Sequence, residues 1–238
     1  MTDEWSHERL YSMRDDLLRD ALGMLVNELR HPLQSLRSQV GLLRSGERDL
    51  LTVLEVCAVF DDQVAQLAAL IDDLSVITRP DPAVLIAARE PLDLRELLTA
   101  ASNAIAGFVA LRGLRLMVRM DDDPVLVSGD RVRLTQAITN LLMNAARYCE
   151  SGDLIHAVAF REGGNVRVHV RDTGMGIPPH LLEHVFDPFV RLHPGSAEGN
   201  GIGLTVARLV VDAHGGTLEA RSDGVGRGSE LTMVLPGS

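Results

Sequence analysis

Apolar residues recur through the first third of the chain at the spacing of a bundle helix. Leu18, Leu22, Leu25, Leu29, Leu33, Leu36, Val40 and Leu43 are separated by steps of three and four, which gather side chains on one helical stripe. Two fours in succession, ending at Leu33, make a stutter. Pro32 sits at it and predicts a bend; Ser45-Gly46 predicts the stop. A second helix is expected from Asp49 to Thr78, with Leu50, Leu54, Cys57, Phe60, Val64, Leu67, Ile71, Leu74 and Ile77 as its stripe. The short link makes the pair an antiparallel hairpin. One hairpin cannot cover two such stripes, so pairing with a second copy into a four-helix bundle is expected. The alternative is a hairpin capped by the chain's own second domain. Residues before about Arg14 are mixed and polar and read as a lead-in.

At Arg79-Pro80-Asp81-Pro82 the pattern breaks, as prolines restrict their neighbours and end helices. Shorter periods follow. A strand is expected at Val84 to Ala88. A helix opened by Asp93 follows, with Glu96 at capping-box spacing, ending near Gly113. Strands are expected at Leu114 to Met120 and Val125 to Val127, around the turn Asp121 to Pro124. Gly129-Asp130 opens another helix. Two alternating strands, Leu154 to Phe160 and Val166 to Arg171, flank the turn Glu162 to Asn165. A helix from Gly201 to Ala213 stops at His214-Gly-Gly216, and Thr217 to Arg221 pairs with Ser229 to Leu235. The expected class is α+β: a lead-in at 1–14, a helical hairpin at 15–79, and a layer of helices on one mixed sheet, an α/β sandwich, at 80–238.

Composition narrows the function classes. The chain has 238 residues and a formal net charge of -10, which argues against nucleic acid or anionic lipid as a main partner. With 46% hydrophobic and 3% aromatic residues, the core must be aliphatic. The two cysteines, Cys57 and Cys149, make neither a disulfide framework nor a metal spacing, which suits a reducing cytosol. No apolar run reaches membrane-span length, and no signal peptide is visible. A cytoplasmic protein without membrane contact in this stretch is therefore expected.

Three short pieces carry the chemistry. In Asn140-Leu-Leu-Met-Asn144-Ala-Ala-Arg147-Tyr148 the two asparagines lie four apart, on one helical face. Asn144 can offer a carbonyl oxygen to Mg²⁺, which prefers oxygen ligands, and Arg147 can reach a phosphate. In Asp172-Thr-Gly174-Met-Gly176-Ile, Asp172 ends a strand and can accept a hydrogen bond from an exocyclic amine. Gly174 and Gly176 let the backbone approach a flat base. In Gly199-Asn-Gly201-Ile-Gly203-Leu204, glycines precede an apolar helix whose first N–H groups favour phosphate. Each piece alone has a bland reading, as a cap or a turn; the three in this order specify a nucleotide pocket. Val190 to Glu198 lacks periodicity and is a candidate lid over a triphosphate. Arg191 within it reads either as a contact to the terminal phosphate or as a solvated surface arginine.

These pieces resemble the N, G1 and G2 boxes of sensor histidine kinases, and Phe186-Asp-Pro-Phe189 resembles their F box. The resemblance covers nearly all of the chain after about residue 15. It implies a Bergerat-type ATP pocket in which Asn144 holds Mg²⁺, Asp172 reads adenine, and Arg147 and Tyr148 touch phosphates. It further implies a homodimer and, as partner, the receiver domain of a response regulator.

Val26-Asn27-Glu28-Leu29-Arg30-His31-Pro32 resembles the H box, His-Glu-Leu-Arg-x-Pro. Aligned on Glu28, Leu29, Arg30 and Pro32, the phosphoacceptor position holds Asn27. With Leu22 and Leu25 as the seam, position 27 faces outward. An amide has no imidazole-like lone pair with which to take a phosphoryl group, so the family's general base, at Glu28, has nothing to activate. His31 is one turn on, roughly 6 Å along the helix. By resemblance it occupies the position of the phosphatase reaction; a surface histidine and a substitute acceptor are the other readings. Asn27 is either a His→Asn replacement in a competent kinase or a natural loss. The corresponding functions are a two-component kinase core blocked in autophosphorylation, and a regulatory pseudokinase that binds nucleotide or a partner without phosphotransfer. The pocket also resembles that of type II topoisomerases, mismatch-repair ATPases, chaperones and anti-sigma serine kinases, but the helical hairpin argues against these.

Overall fold

The computed structural model describes residues 26, 29–30, 32–41, 50–78, 85–190 and 201–238. The chain divides into two compact units, Met1–Ser75 and Val76–Ser238. The lead-in at 1–14, the stop at Ser45-Gly46 and the break at Arg79 to Pro82 lie outside the described residues.

In the first unit residues 32–41 are helical; helix α1 runs over Leu50–Thr78, all but its last three residues within this unit. On a single copy the expected stripe of α1 is half-buried at Phe60, Leu67, Leu74 and Ile77 and exposed at its other described positions. Val56 and Leu70 are buried, whereas Leu54, Val64 and Ile71, three stripe positions, are 56%, 51% and 61% exposed. Leu33 is likewise 54% exposed. Among the described residues of this unit, Val26, Leu33, Leu54, Val64 and Ile71 stay exposed on one copy.

The second unit is a helical layer on a sheet. Its elements are β1 (Glu90–Asp93), α2 (Leu94–Leu111), β2 (Arg115–Met120), β3 (Leu126–Gly129), α3 (Arg131–Arg147), β4 (Leu154–Glu162), β5 (Asn165–Asp172), α4 (Gly203–Ala213), β6 (Thr217–Arg221) and β7 (Glu230–Pro236). A short 3-10 turn covers Pro179–Leu181. The main sheet has the order β2-β4-β5-β7-β6; β2 lies parallel to β4 and the other neighbours are antiparallel. Alternation on β4, β5 and β7 turns Ile155, Ala157, Ala159, Val166, Val168, Val170, Leu231, Met233 and Leu235 into the core, as a half-buried sheet requires. Helix α3 packs against both α2 and α4 and buries Leu134, Ala137, Ile138, Leu141, Leu142, Ala145 and Ala146. Among the described residues α2 alone is long and apolar enough to cross a membrane. It is a core helix here, with Leu94, Leu97, Leu98, Ala101, Ile105 and Val109 buried.

Several expectations shift. The strand expected at Val84 to Ala88 is instead at Glu90–Asp93, because the Ala87 N–H is taken by the Asp130 carboxylate at 3.1 Å while Leu92 is buried opposite Val127. That strand pairs with β3 in a separate two-stranded sheet, so the second unit has two sheets, not one. Pro91 is tolerated because an edge strand does not need its N–H. The capping box is half formed. Asp93 accepts from Arg95 N at 3.0 Å, but Glu96 reaches Arg131 at 3.2 Å instead of turning back. The last helix starts at Gly203, two residues late, because Gly201 takes a left-handed φ of 68°.

Asp130 organises the start of α3. Its carboxylate accepts from Val132 N at 3.0 Å and Arg133 N at 3.1 Å, the N-cap role. Burial alone would raise its carboxyl, but the backbone N–H groups of Arg133, Ala87, Ala88 and Val132 outweigh burial and hold it below the usual range. The Asp130 N–H donates to His214 Nε2 at 3.0 Å, and His214 Nδ1 lies 2.7 Å from the Val210 carbonyl. The ring is thus the neutral tautomer with its proton on Nδ1. Burial drives its pKa down.

Candidate functional site

The three sequence pieces converge because α3 touches the other two at different heights. Asn140, half-way along α3, faces Gly203 at the start of α4; a Cβ on Gly203 would lie 3.5 Å from Asn140 Cγ. The buried Asn140 Nδ2 has no hydrogen-bond partner among the described residues. A buried donor without an acceptor costs about 1–3 kcal/mol, so the arrangement suits an acceptor brought by a ligand. Asn144 lies one turn on, half-buried, with its backbone carbonyl accepting Tyr148 N at 3.3 Å. Arg147 ends α3 and Tyr148 caps it. The Tyr148 carbonyl accepts Met175 N at 2.9 Å, which joins the end of α3 to the loop after β5. A Cβ on Gly174 would collide with that same carbonyl, so glycine is required by close approach.

Asp172 is 4% exposed. Its carboxylate accepts from Gly174 N at 2.9 Å and from Ser229 N at 3.2 Å, and Ser229 Oγ donates to its second oxygen. Burial pushes its pKa above the usual carboxylate value, against the lowering pull of Ser229 and Gly174. The same surroundings act on Cys149. Its burial, with Asp172 and Asp153 nearby, pushes the thiol up to about 12, so it is inert as a nucleophile at neutral pH. Gly176 has φ 70° and a Cβ there would strike the Gly224 carbonyl.

Phe186 is buried with the Arg208 guanidinium 5.3 Å from its ring centroid. Phe189 has a left-handed φ of 66°, which costs a non-glycine residue about 1–2 kcal/mol. Its N–H donates to the Gly201 carbonyl at 2.9 Å, and a Cβ on Gly201 would sit 2.9 Å from Phe189 Cα. Leu204 is partly buried against the core. The segment expected as a lid, with Arg191 and Gly199, lies outside the described residues. So do Asn27, Glu28 and His31.

Sequence reasoning missed Ser229, 57 positions from its partner. The signal was the strand register: β5 and β7 pair Arg171 with Glu230, which sets Ser229 beside Asp172. It also missed Ser222, whose hydroxyl accepts from Ile177 N at 3.0 Å and donates to the Gly228 carbonyl at 2.7 Å. Together these residues form a buried carboxylate acceptor walled by glycines, an unsatisfied amide donor, and a helix start of glycines. That set can hold a flat base bearing an amine at one end and an anion at the other.

Residues 129–238 match the family model described as "Histidine kinase-, DNA gyrase B-, and HSP90-like ATPase". The chain is 32% identical over 232 residues to the signal transduction histidine-protein kinase BaeS of Escherichia coli K12, covering 96% of this chain and 48% of that protein. It thus spans about half the length of that relative. Among solved structures, the mycobacterial sensor histidine kinase MprB is 30% identical with a TM-score of 0.55, covering 63% of this chain and 98% of that one. Full-length ShkA in complex with AMPPNP is 24% identical with a TM-score of 0.65, covering 92% of this chain and 46% of that one; at that identity the likeness speaks for the fold.

Proposed function

The chain belongs to the sensor histidine kinases, and we propose that it is the ATP-binding core of a two-component kinase that is blocked at its own phosphoacceptor position. In this reading the parent reaction moves phosphoryl from ATP to a histidine and on to a response-regulator aspartate. The observation that carries the nucleotide reading is Asp172, a buried carboxylate held at a cost. A protein keeps such a group where a ligand needs it. An adenine amine would donate to its carboxylate, with Gly174 and Gly176 leaving room for the ring. Asn140 and the N–H groups at Gly203 and Leu204 would face the phosphate end, with Arg147, Tyr148, Gly199, Gly201 and Arg191 as further phosphate contacts.

Among the described residues no group of three His, Cys, Asp or Glu could cage a metal. Mg²⁺ typically binds through one or two protein oxygens plus substrate phosphates, and the Asn144 carbonyl fits that role. Bound there with ATP, Mg²⁺ would neutralise charge on the phosphate oxygens. Transfer then needs a nucleophile in line with the γ-phosphate. Position 27 is Asn, so Glu28 has no proton to take and the step stops. His31, next to Pro32, is assigned to water positioning in a phosphatase reaction on the response regulator.

A homodimer through 15–79 is part of the proposal. Its support is the apolar surface that Leu33, Leu54, Val64 and Ile71 leave in water on one copy. A cytoplasmic setting and a receiver domain as partner complete it. The second reading, a nucleotide-binding pseudokinase, is favoured by Asn27 alone.

One experiment separates the two. The chain and its Asn27→His variant are incubated with labelled ATP and Mg²⁺. The kinase-core reading expects no label on the unaltered chain and an acid-labile, base-stable label on the variant. Label at His31 of the unaltered chain would overturn the acceptor assignment. A variant that binds ATP but stays unlabelled would favour the pseudokinase.

A further inference from the structure

The loop between β6 and β7 forms the back wall of the loop that follows Asp172, and one hydroxyl joins them. Gly226 N donates to the Met175 carbonyl at 2.7 Å, and Gly228 N to the Gly174 carbonyl at 3.0 Å. The two loops therefore zip together through backbone. Ser222 Oγ stands at the base of the zip. It accepts from Ile177 N at 3.0 Å, ending the Asp172 loop, and donates to the Gly228 carbonyl at 2.7 Å, closing its own loop from 222 to 228. Ser229, next in sequence, holds the Asp172 carboxylate by its N–H and its hydroxyl. Gly228 itself has φ 70° and no room for a Cβ against the Asp172 carbonyl. Moving Gly228 thus moves Ser229, and moving Ile177 moves Gly176. Ser222 bonds to both.

We propose that Ser222 is a positioning residue for base selection, one that fixes the separation between the Asp172 carboxylate and the Gly174–Gly176 backbone so that a 6-amino purine fits and a 6-oxo purine does not. The inference rests on the assignment of Asp172 as the base-reading group. Ser222 touches no ligand in this scheme; it acts through Ser229 on one side and Ile177 on the other. A hydroxyl is suited to the task because it is donor and acceptor at once. An alanine at 222 removes both, together with the longer bonds to the Gly224 carbonyl and N–H at 3.3 Å, and leaves the Ile177 N–H and the Gly228 carbonyl to find other partners.

The test measures ADP and inosine diphosphate affinities by calorimetry with Mg²⁺, on the full chain, for Ser222→Ala, Ser222→Thr and Asp172→Asn. Ser222→Ala should weaken ADP about five- to tenfold, the worth of one net hydrogen bond, and narrow the preference for ADP over inosine diphosphate. Ser222→Thr, which keeps the hydroxyl, should restore both. A purely structural role would lower the melting temperature and leave the preference untouched; that result, with Asp172→Asn still narrowing it, overturns the inference alone. If Asp172→Asn also leaves the preference unchanged, the base-reading assignment falls and the inference with it. Should Ser222→Ala fail to fold, Ser222→Cys keeps the shape, weakens both bonds and reads the same ratio.

Discussion

Asp172→Asn tests the reading of the pocket at its centre. The substitution removes one buried charge and keeps the shape. The amide oxygen can still accept from Gly174 N and Ser229 N, now at 2.9 and 3.2 Å. The amide nitrogen would take the place of the oxygen that now accepts from Ser229 Oγ, and the hydroxyl can reverse to accept. Folding stability should therefore hold or rise slightly, since burial disfavours the charged form in the native state. Binding should respond in the opposite sense. An adenine amine would meet an NH₂ where it met a carboxylate, losing a charge-assisted bond of about 1.5–3 kcal/mol. That is about a 10- to 150-fold rise in Kd for ADP. Inosine diphosphate, with an acceptor at the same ring position, should lose little or gain. Calorimetry with both nucleotides, beside a urea melt, makes the measurement. An unchanged ratio of the two affinities would refute the base-reading role. A large drop in stability would refute the hydrogen-bond account. Acid should weaken ADP binding to the parent from a higher pH than an ordinary carboxylate would, because the Asp172 pKa is raised, and the variant should lack that limb.

Ile71→Asp and Val64→Asp place charges on exposed apolar positions of α1. They should take the light-scattering mass from twice 25.9 kDa to a single chain while ADP affinity changes less than about twofold, since the pocket residues lie in the other unit. For His214, the folded pKa lies below the ordinary value. Above about pH 6.5 both states are neutral and stability is flat; as pH falls toward the folded value the unfolded chain binds the proton first, and stability drops by up to about 1.4 kcal/mol per unit. Urea melts should show that slope, and His214→Gln should flatten it even if the whole curve moves down.

The helices of the second unit could be read because their signals are local. Asp93 and Asp130 open α2 and α3, and the apolar period within each gives the buried face. The strand pair β4–β5 could be read from alternation across a Gly-Gly turn. What escaped is what depends on distant partners. Ala87 reads as strand until Asp130, 43 residues on, takes its N–H. Ser229 is an unremarked strand start until the register sets it beside Asp172. On α1 a single copy buries Val56 and Leu70 and leaves Leu54 and Ile71 exposed, so the face expected to meet a second copy is not the face that one chain covers. A helix with apolar residues on more than one stripe does not say which stripe a single copy will cover.

The pocket and the acceptor are separable for a physical reason. Asn140 and Tyr148 stand eight residues apart on α3, about 12 Å along its axis, and that rigid span sets the distance between the Gly203 helix start and the Gly174 loop. Each contact that fixes the span lies within Val76–Ser238: Asn140 against Gly203, Tyr148 against Met175, Asp172 against Ser229. None involves residue 27. In the proposed reading an amide at 27 therefore removes a reactant and is expected to leave the binding geometry of this unit unchanged, which equal ADP affinity of the chain and its Asn27→His variant would check. A chain whose pocket had drifted after losing its acceptor would have no reason to keep a carboxylate 4% exposed in a surrounding that raises its pKa, since an uncharged residue there would cost less. Asp172 is buried with a raised pKa and Asn140 Nδ2 has no partner among the described residues; in the proposed reading a bound nucleotide offsets both costs.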